Sequence, residues 1–280
     1  MDAHDPSLLS INQLTTRDQW SLPEAADGYA RAGVGAMAVW WEKLREVGAA
    51  RAARAIRDAG LAVTGYCAGG LLTARDPAER RQRLDDNRRM VDEAVAIGSS
   101  CLVALGGGLD PDDRDIDAAR RRALDGFAEL LPYVRDAGIV LALEPLHPMV
   151  CATRSVLCTL RQANEWCDAL GGGPDVDGGV GIALDTYNVW WDPELESQIE
   201  RAAGRIAAYH VSDWLPDTRD LRFDRGMPGD GVIDFRRFAE RVTAAGYRGR
   251  HEVEILSNRW WREDPETVVA TVLERFRSVM

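Results

Sequence analysis

The chain has 280 residues, 46% hydrophobic and 28% charged, which suits one large globular domain with a sizeable core. Its formal net charge of -11 argues against nucleic acid as a partner, because phosphate backbones are held by basic faces. Five cysteines without CxxC or zinc-ribbon spacing give no disulfide framework, and MDAHDPSLLSINQ has neither a basic nor an apolar leader region, so a cytoplasmic protein is expected. No apolar run approaches the roughly 18 residues that span a bilayer, so no membrane partner is expected.

Apolar runs alternate with amphipathic segments along the chain, the pattern of repeated βα units. Strands are predicted near 8–14, 35–41, 61–67 and 100–106, each short or Ala-rich. Four more, near 138–145, 180–187, 205–212 and 250–256, are almost continuously apolar, as strands buried on both faces should be. Asp76 as N-cap with Pro77 at the first helical position opens a helix. Leu84, Val91, Ala94 and Val95 are expected to keep one face of it, with Gly98 as its stop. A second helix is expected from Asp115 to Asp136, with Leu124, Phe127, Leu130, Leu131 and Val134 on its apolar face and Gly138 after it. Ala-Gly pairs at 59–60, 137–138 and 245–246 punctuate helix-to-strand junctions, GGGPDVDGG (171–179) reads as a flexible loop, and the Arg-rich stretches 80–89 and 120–122 read as solvated helix faces. Eight strands, seven or eight helices and no linker predict an α/β fold: a (β/α)8 TIM barrel forming a single domain over residues 1–280.

In such a barrel the chemistry sits at the carboxyl ends of the strands. There the chain places Trp40-Trp41 after strand 2, Tyr66 at the end of strand 3, and Glu144 with His147 after strand 5. Asp185, Asn188 and Trp190-Trp191 follow strand 6, and His210, Asp213 and Trp214 follow strand 7. Glu254 lies on strand 8, with Trp260-Trp261 beyond it. Glu144, Asp185, His210 and Glu254 offer three carboxylates and an imidazole, a set suited to one divalent cation, Mn²⁺ or Mg²⁺ first and Co²⁺ or Zn²⁺ as alternatives. The Trp pairs read as pocket walls, since an indole face stacks against sugar C–H groups. His251 is out of phase with Glu254 and reads as structural, whereas Glu252 shares its face and replaces it as the ligand if the register slips.

In this order, LALEP (Glu144), ALDTYN (Asp185), YHVSD (His210) and VEIL (Glu254) resemble the xylose isomerase-like superfamily of sugar isomerases and epimerases. RGMPGDGVIDF at 225–235 resembles that family's R-x-x-P-G-x-G-x-I-D segment. The resemblance implies a single-metal site made by those four residues, with Arg225 binding substrate. It implies that Glu144 and Glu254 also act as catalytic carboxylates, taking a proton alpha to a metal-bound carbonyl and returning it. Such acid–base work is worth about 10²–10⁴-fold in rate. The implied substrate is a small carbohydrate, ketose or keto-polyol, and the implied assembly a homodimer or homotetramer.

Two departures modify the expectation. Family epimerases usually carry His three residues after the strand-6 Asp, where this chain has Asn188, which hydrogen-bonds but does not take a proton near neutral pH. Conversely, His147 in EPLHP provides an imidazole, so proton transfer is expected to have moved to the strand-5 loop, with His147 as a third catalytic group. Arg225, Asn188, Trp40, Tyr66, Trp191 and Trp214 are expected to bind substrate. WLPDTRDLRFD (214–224) reads as an insertion whose Arg219 and Arg222 form a lid or contact an anionic group. The expected activity is an isomerase or epimerase working through an enediolate. The alternatives are a lyase or dehydratase of a keto-inositol or keto-glycoside, and a non-catalytic metal-binding barrel, which Asn188 supports best. An endonuclease IV-like repair activity needs many more histidines than the four here and is opposed by the acidic charge.

Overall fold

A computed structural model describes residues 6–173, 176 and 179–280. Eight parallel strands close a barrel in chain order: β1 (Leu9–Asn12), β2 (Ala36–Trp40), β3 (Ala62–Gly70), β4 (Cys101–Leu105), β5 (Val140–Leu143), β6 (Val180–Asp185), β7 (Ile206–Val211) and β8 (His251–Val253). Helices α1 (Leu22–Arg31), α2 (Trp41–Val47), α3 (Ala49–Asp58), α4 (Pro77–Ile97), α5 (Ile116–Asp136), α6 (Leu160–Ala169), α7 (Thr186–Val189), α8 (Leu195–Arg201), α9 (Phe235–Ala244) and α10 (Pro265–Val279) fill the connections. None among the described residues is long and apolar enough to cross a membrane.

The strands separate two kinds of apolar residue. Bulky ones, such as Leu141 and Leu143 of β5, Ile182 and Leu184 of β6 and Tyr209 and Val211 of β7, pack outward against the helices. The alternate positions are small: Cys67, Cys101, Val103, Ala142, Ala183 and Ala208 cluster inside the barrel. A strand's period of two produces this division, and it turns every second residue at a strand's carboxyl end toward the barrel axis. Removing one outer anchor, for example Leu184→Ala, should cost about 2–5 kcal/mol.

The helix signals are realised at their termini. Asp76 accepts hydrogen bonds from the N–H groups of Ala78 (2.6 Å) and Glu79 (3.0 Å), and Gly98 ends α4 in the left-handed region at φ 72°. Asp115 caps α5 by accepting from Ala118 N–H at 2.9 Å. Val95 departs from the expected face, being 48% exposed. It is the fourth residue taken for a stripe that Leu84, Val91 and Ala94 already complete.

Seven of the expected strands end one to three residues early and one runs long. β5 and β8 stop at Leu143 and Val253, so Glu144 and Glu254 stand just past the sheet, while β3 continues to Gly70. The connection after β2 holds two helices split at Gly48, and α7 is a single turn, which raises the number of helical segments above expectation. Part of the 171–179 loop lies outside the described residues.

Candidate metal centre and active site

The register of the closing strands builds the site. Asp185, the last residue of β6, pairs with His210 on β7, and His210 pairs with Glu252 on β8. Inward alternation then brings Glu144, Asp185, His210 and Glu254 together, with one ligand-type atom from each lying within 4.8 Å of the others. All four are buried, their exposure between 0% and 6%. Glu252 shares the inward face but sits one layer deeper, accepting from Asn12 Nδ2 at 2.9 Å and Thr64 Oγ1 at 2.7 Å. Glu254 is therefore the member of the cluster.

Buried carboxylates are costly unless compensated. Arg225 Nη1 donates to Asp185 Oδ2 and Glu254 Oε2, both at 2.9 Å, and lies 3.2 Å from Ser212 Oγ. Burial alone would weaken the guanidinium's hold on its proton, but Asp185 and Glu254 reverse that and raise its pKa. Asp185 Oδ1 accepts from Tyr187 N–H at 3.0 Å, and Asn12 Nδ2 donates to Glu254 Oε1 at 3.1 Å. His210 Nδ1 lies 3.3 Å from Glu144 Oε1.

The compensation is incomplete. Four inward carboxylates, Glu252 included, face one buried guanidinium, and burial pushes Glu144 up to about 7 even though His210 pulls it down. Asp185 is likewise raised by burial, against the pull of Arg225. Burial lowers the His210 pKa, but Glu252 and Glu144 override it and hold it well above the usual histidine value. Convergent oxygens with one imidazole and too little positive charge are what a divalent cation would complete, so the residues fit a metal.

A profile of the xylose isomerase-like TIM barrel matches residues 27–279. The chain belongs to the xylose isomerase-like TIM barrel family. It is 27% identical over 222 residues to L-ribulose-5-phosphate 3-epimerase UlaE of Escherichia coli K12, covering 77% of this chain and 72% of that protein. Its backbone is similar to that of protein SMc04130 of Sinorhizobium meliloti 1021, with TM-score 0.94, 46% identity and 98% of each chain covered. It also shares its fold with the IolI protein, described as having a bound zinc atom, at TM-score 0.82, 18% identity and 97% of each chain.

In this xylose isomerase-like barrel the cluster opens into an inner chamber of about 50 Å³, bordered by Trp40, Cys67, Glu144, His147, Asn188, Arg225 and Glu254 among others. Larger depressions lie between outer helices, away from these groups. His147 is half-buried at the rim. Its ring stacks on Trp214 (centroids 4.8 Å apart, 27° between planes) and meets the edge of Trp191 at 5.7 Å. Nδ1 accepts from Met149 N–H at 3.2 Å, which leaves Nε2 available, and burial lowers the ring's pKa. Trp214 and Trp191 thus back His147; neither borders the chamber, in contrast to the substrate contact expected of them.

Other expected residues are placed differently. Tyr66 is corrected: it lies in the middle of β3, is fully buried against the helix layer, and its hydroxyl donates to Glu93 Oε2 of α4 at 2.6 Å. Alternation along β3 puts its neighbour Cys67 on the inward face instead. Asn188 borders the chamber, but its amide holds the site's own residues, Nδ2 donating to Asp185 Oδ2 (2.8 Å) and Oδ1 accepting from His147 N–H (3.1 Å). Trp260 and Trp261 are buried packing residues rather than walls, Trp261 Nε1 donating to Leu14 carbonyl oxygen at 2.6 Å. Asp213 is a loop anchor, accepting from the N–H groups of Trp214, Gly229, Gly231 and Ile233. A Cβ at Gly231 would stand 2.1 Å from Trp214 carbonyl oxygen, so this turn, which presents Arg225, requires glycine. The 214–224 segment reaches the chamber through Leu221 and Arg222, not through Arg219.

Asn12, Cys67 and Arg154 belong to the site without having been expected there. Asn12 did carry a signal, a carboxamide closing an apolar run that the fold buries completely.

Proposed function

We propose that this protein is a divalent-metal-dependent epimerase or isomerase of a small keto-sugar or keto-polyol. The observation that carries the reading is that Glu144 and Glu254, from strands three apart around the barrel, border one chamber within a four-residue metal-ligand set. A bound divalent cation would polarise a carbonyl and stabilise the negative charge left when the neighbouring C–H is deprotonated. The two carboxylates then remove and return that proton from different sides. Arg225 fixes Glu254 Oε2, and Asn12 fixes Oε1, so the side chain keeps its aim during transfer. His147, its Nε2 free and its pKa lowered, serves as the exchanger for a substrate hydroxyl in place of the histidine absent at Asn188.

Family membership and the likeness to a ribulose-phosphate epimerase support the same class. The oxygen-rich donors favour Mn²⁺ or Mg²⁺, with Zn²⁺ and Co²⁺ next. A homo-oligomer in the cytoplasm completes the proposal. The test is to strip the protein with chelator, reload it with Mn²⁺, and follow by NMR the exchange of protons alpha to carbonyls in D₂O across ketoses, inososes and 3-keto-glycosides. Metal-dependent exchange lost in Glu254→Gln is the expected result. Exchange with release of water or an aglycone identifies the lyase alternative, and absence of exchange with metal bound refutes the catalytic reading.

A further inference from the structure

The inner chamber is too small for a whole sugar. One buried water needs about 10–15 Å³ on this scale, so about 50 Å³ holds only the reacting end of a substrate. A second cleft of about 380 Å³ adjoins it and shares Trp40, Ala68, Leu105, Arg154 and Arg222 with it. A substrate larger than the chamber would reach into this cleft along the shared border, which includes these two arginines.

The charges of the outer cleft are otherwise engaged. Arg83 pairs with Glu79 at 3.1 Å, Glu42 accepts from Trp40 Nε1 at 3.2 Å, and Asp110 accepts from Arg75 N–H at 2.8 Å. Arg154 and Arg222 differ: among the described residues neither guanidinium makes a close ion pair or a side-chain hydrogen bond, although the chain has 45 acidic residues against 34 basic ones. Arg222 lies 4.7 Å over the Phe223 ring, which packs in turn on Trp261, so its guanidinium is held in place. Arg154 is partly buried, and burial and Arg222 destabilise its charge, with Glu144 and Glu254 offsetting this only in part. A partly buried guanidinium beside a second one, neither of them ion-paired or hydrogen-bonded directly, is an arrangement that an anionic ligand relieves.

We propose that the substrate carries an anionic group, a phosphate or a carboxylate, which docks between Arg154 and Arg222 where the inner chamber meets the outer cleft. The proposal rests on the epimerase reading for the rest of the substrate, but not for the anion site itself. Arg154 comes from the loop after β5 and Arg222 from the loop after β7, so the anion ties together the two loops that also carry His147 and Arg225. A forked guanidinium on each side is the geometry that suits a tetrahedral or planar oxyanion.

The experiment has two arms, both on metal-loaded protein. Calorimetric titration with inorganic phosphate compares the wild type with the Arg154→Met/Arg222→Met double variant, whose side chains keep their stems. Phosphate affinity should fall by about tenfold or more in the variant, while Arg154→Lys, which keeps the charge, should retain most of it. Equal phosphate binding by wild type and a folded double variant, or no binding by either, overturns the proposal. In the second arm, deuterium exchange is followed for a ketopentose, its terminal phosphate and the corresponding keto-uronate. The anionic substrate should show KM raised by about tenfold in the double variant with kcat little changed, and the preferred anion distinguishes phosphate from carboxylate. Exchange that favours the neutral ketose and ignores the variant removes the anion site and leaves the epimerase reading intact. Loss of phosphate binding in the variant, with no ketose exchanging, does the reverse.

Discussion

His210 Nε2 lies 3.4 Å from Glu252 Oε1, one layer beneath the ligand set, while Nδ1 of the same ring faces Glu144 Oε1 at 3.3 Å. The Glu252 contact is at ion-pair distance without hydrogen-bond alignment, since Nε2 makes no hydrogen bond. Glu252, itself held by Asn12 and Thr64, thus helps fix the orientation of the imidazole that a divalent cation would meet. Outer carboxylates of this kind typically contribute about 10–100-fold to metal affinity. Glu252→Ala should lose about that much in competition with a chelator, and Glu252→Gln, which keeps an acceptor oxygen, should lose less. Unchanged affinity in both would reduce Glu252 to a space-filling role.

His147→Phe keeps a ring against Trp214 but removes the exchangeable nitrogen. Its deuterium-exchange rate should fall by about 10²–10⁴-fold if the imidazole moves protons, with thermal stability nearly unchanged. A fall of only a fewfold would mean that stacking on Trp214 is all that His147 supplies.

Tyr66→Phe checks the corrected placement. The variant loses the 2.6 Å hydrogen bond to Glu93 and about 1–2 kcal/mol of stability. Exchange kinetics should match those of the wild type. A raised KM would return Tyr66 to the substrate site.

His251 is wedged between Tyr209 and Phe276 (ring centroids 5.2 and 5.9 Å away), its Nδ1 is buried without a partner, and burial lowers its pKa to about 4. The unfolded chain binds this proton with a pKa of about 6.5, so between the two values the unfolded state holds more protons. Stability from this residue is therefore complete above about pH 6.5 and is lost as pH falls toward 4, by up to about 2 kcal/mol at pH 5. Denaturant midpoints of metal-loaded protein at pH 7.5 and 5 should separate less in His251→Phe than in the wild type; equal separations would show that His251 is not titrating.

The barrel and the four residues that cluster in it were legible in the sequence because both rest on local signals. Buried parallel strands write continuous apolar runs such as VGIALD, caps such as Asp76-Pro77 write helix starts, and each member of the cluster stands near or just beyond the end of its own strand. The chemistry of three carboxylates and an imidazole needs no tertiary information beyond convergence. What only the tertiary structure decided was which face each neighbouring residue takes and which distant groups meet. The pleat of β3 turned Tyr66 outward and Cys67 inward, since a period of two makes a one-residue error in phase a change of face. Closure of β1 against β8 brought Asn12 to Glu252 and Glu254, some 240 positions along the chain. Loop packing, which leaves no periodic trace, brought Arg154 beside Arg222 at the chamber mouth.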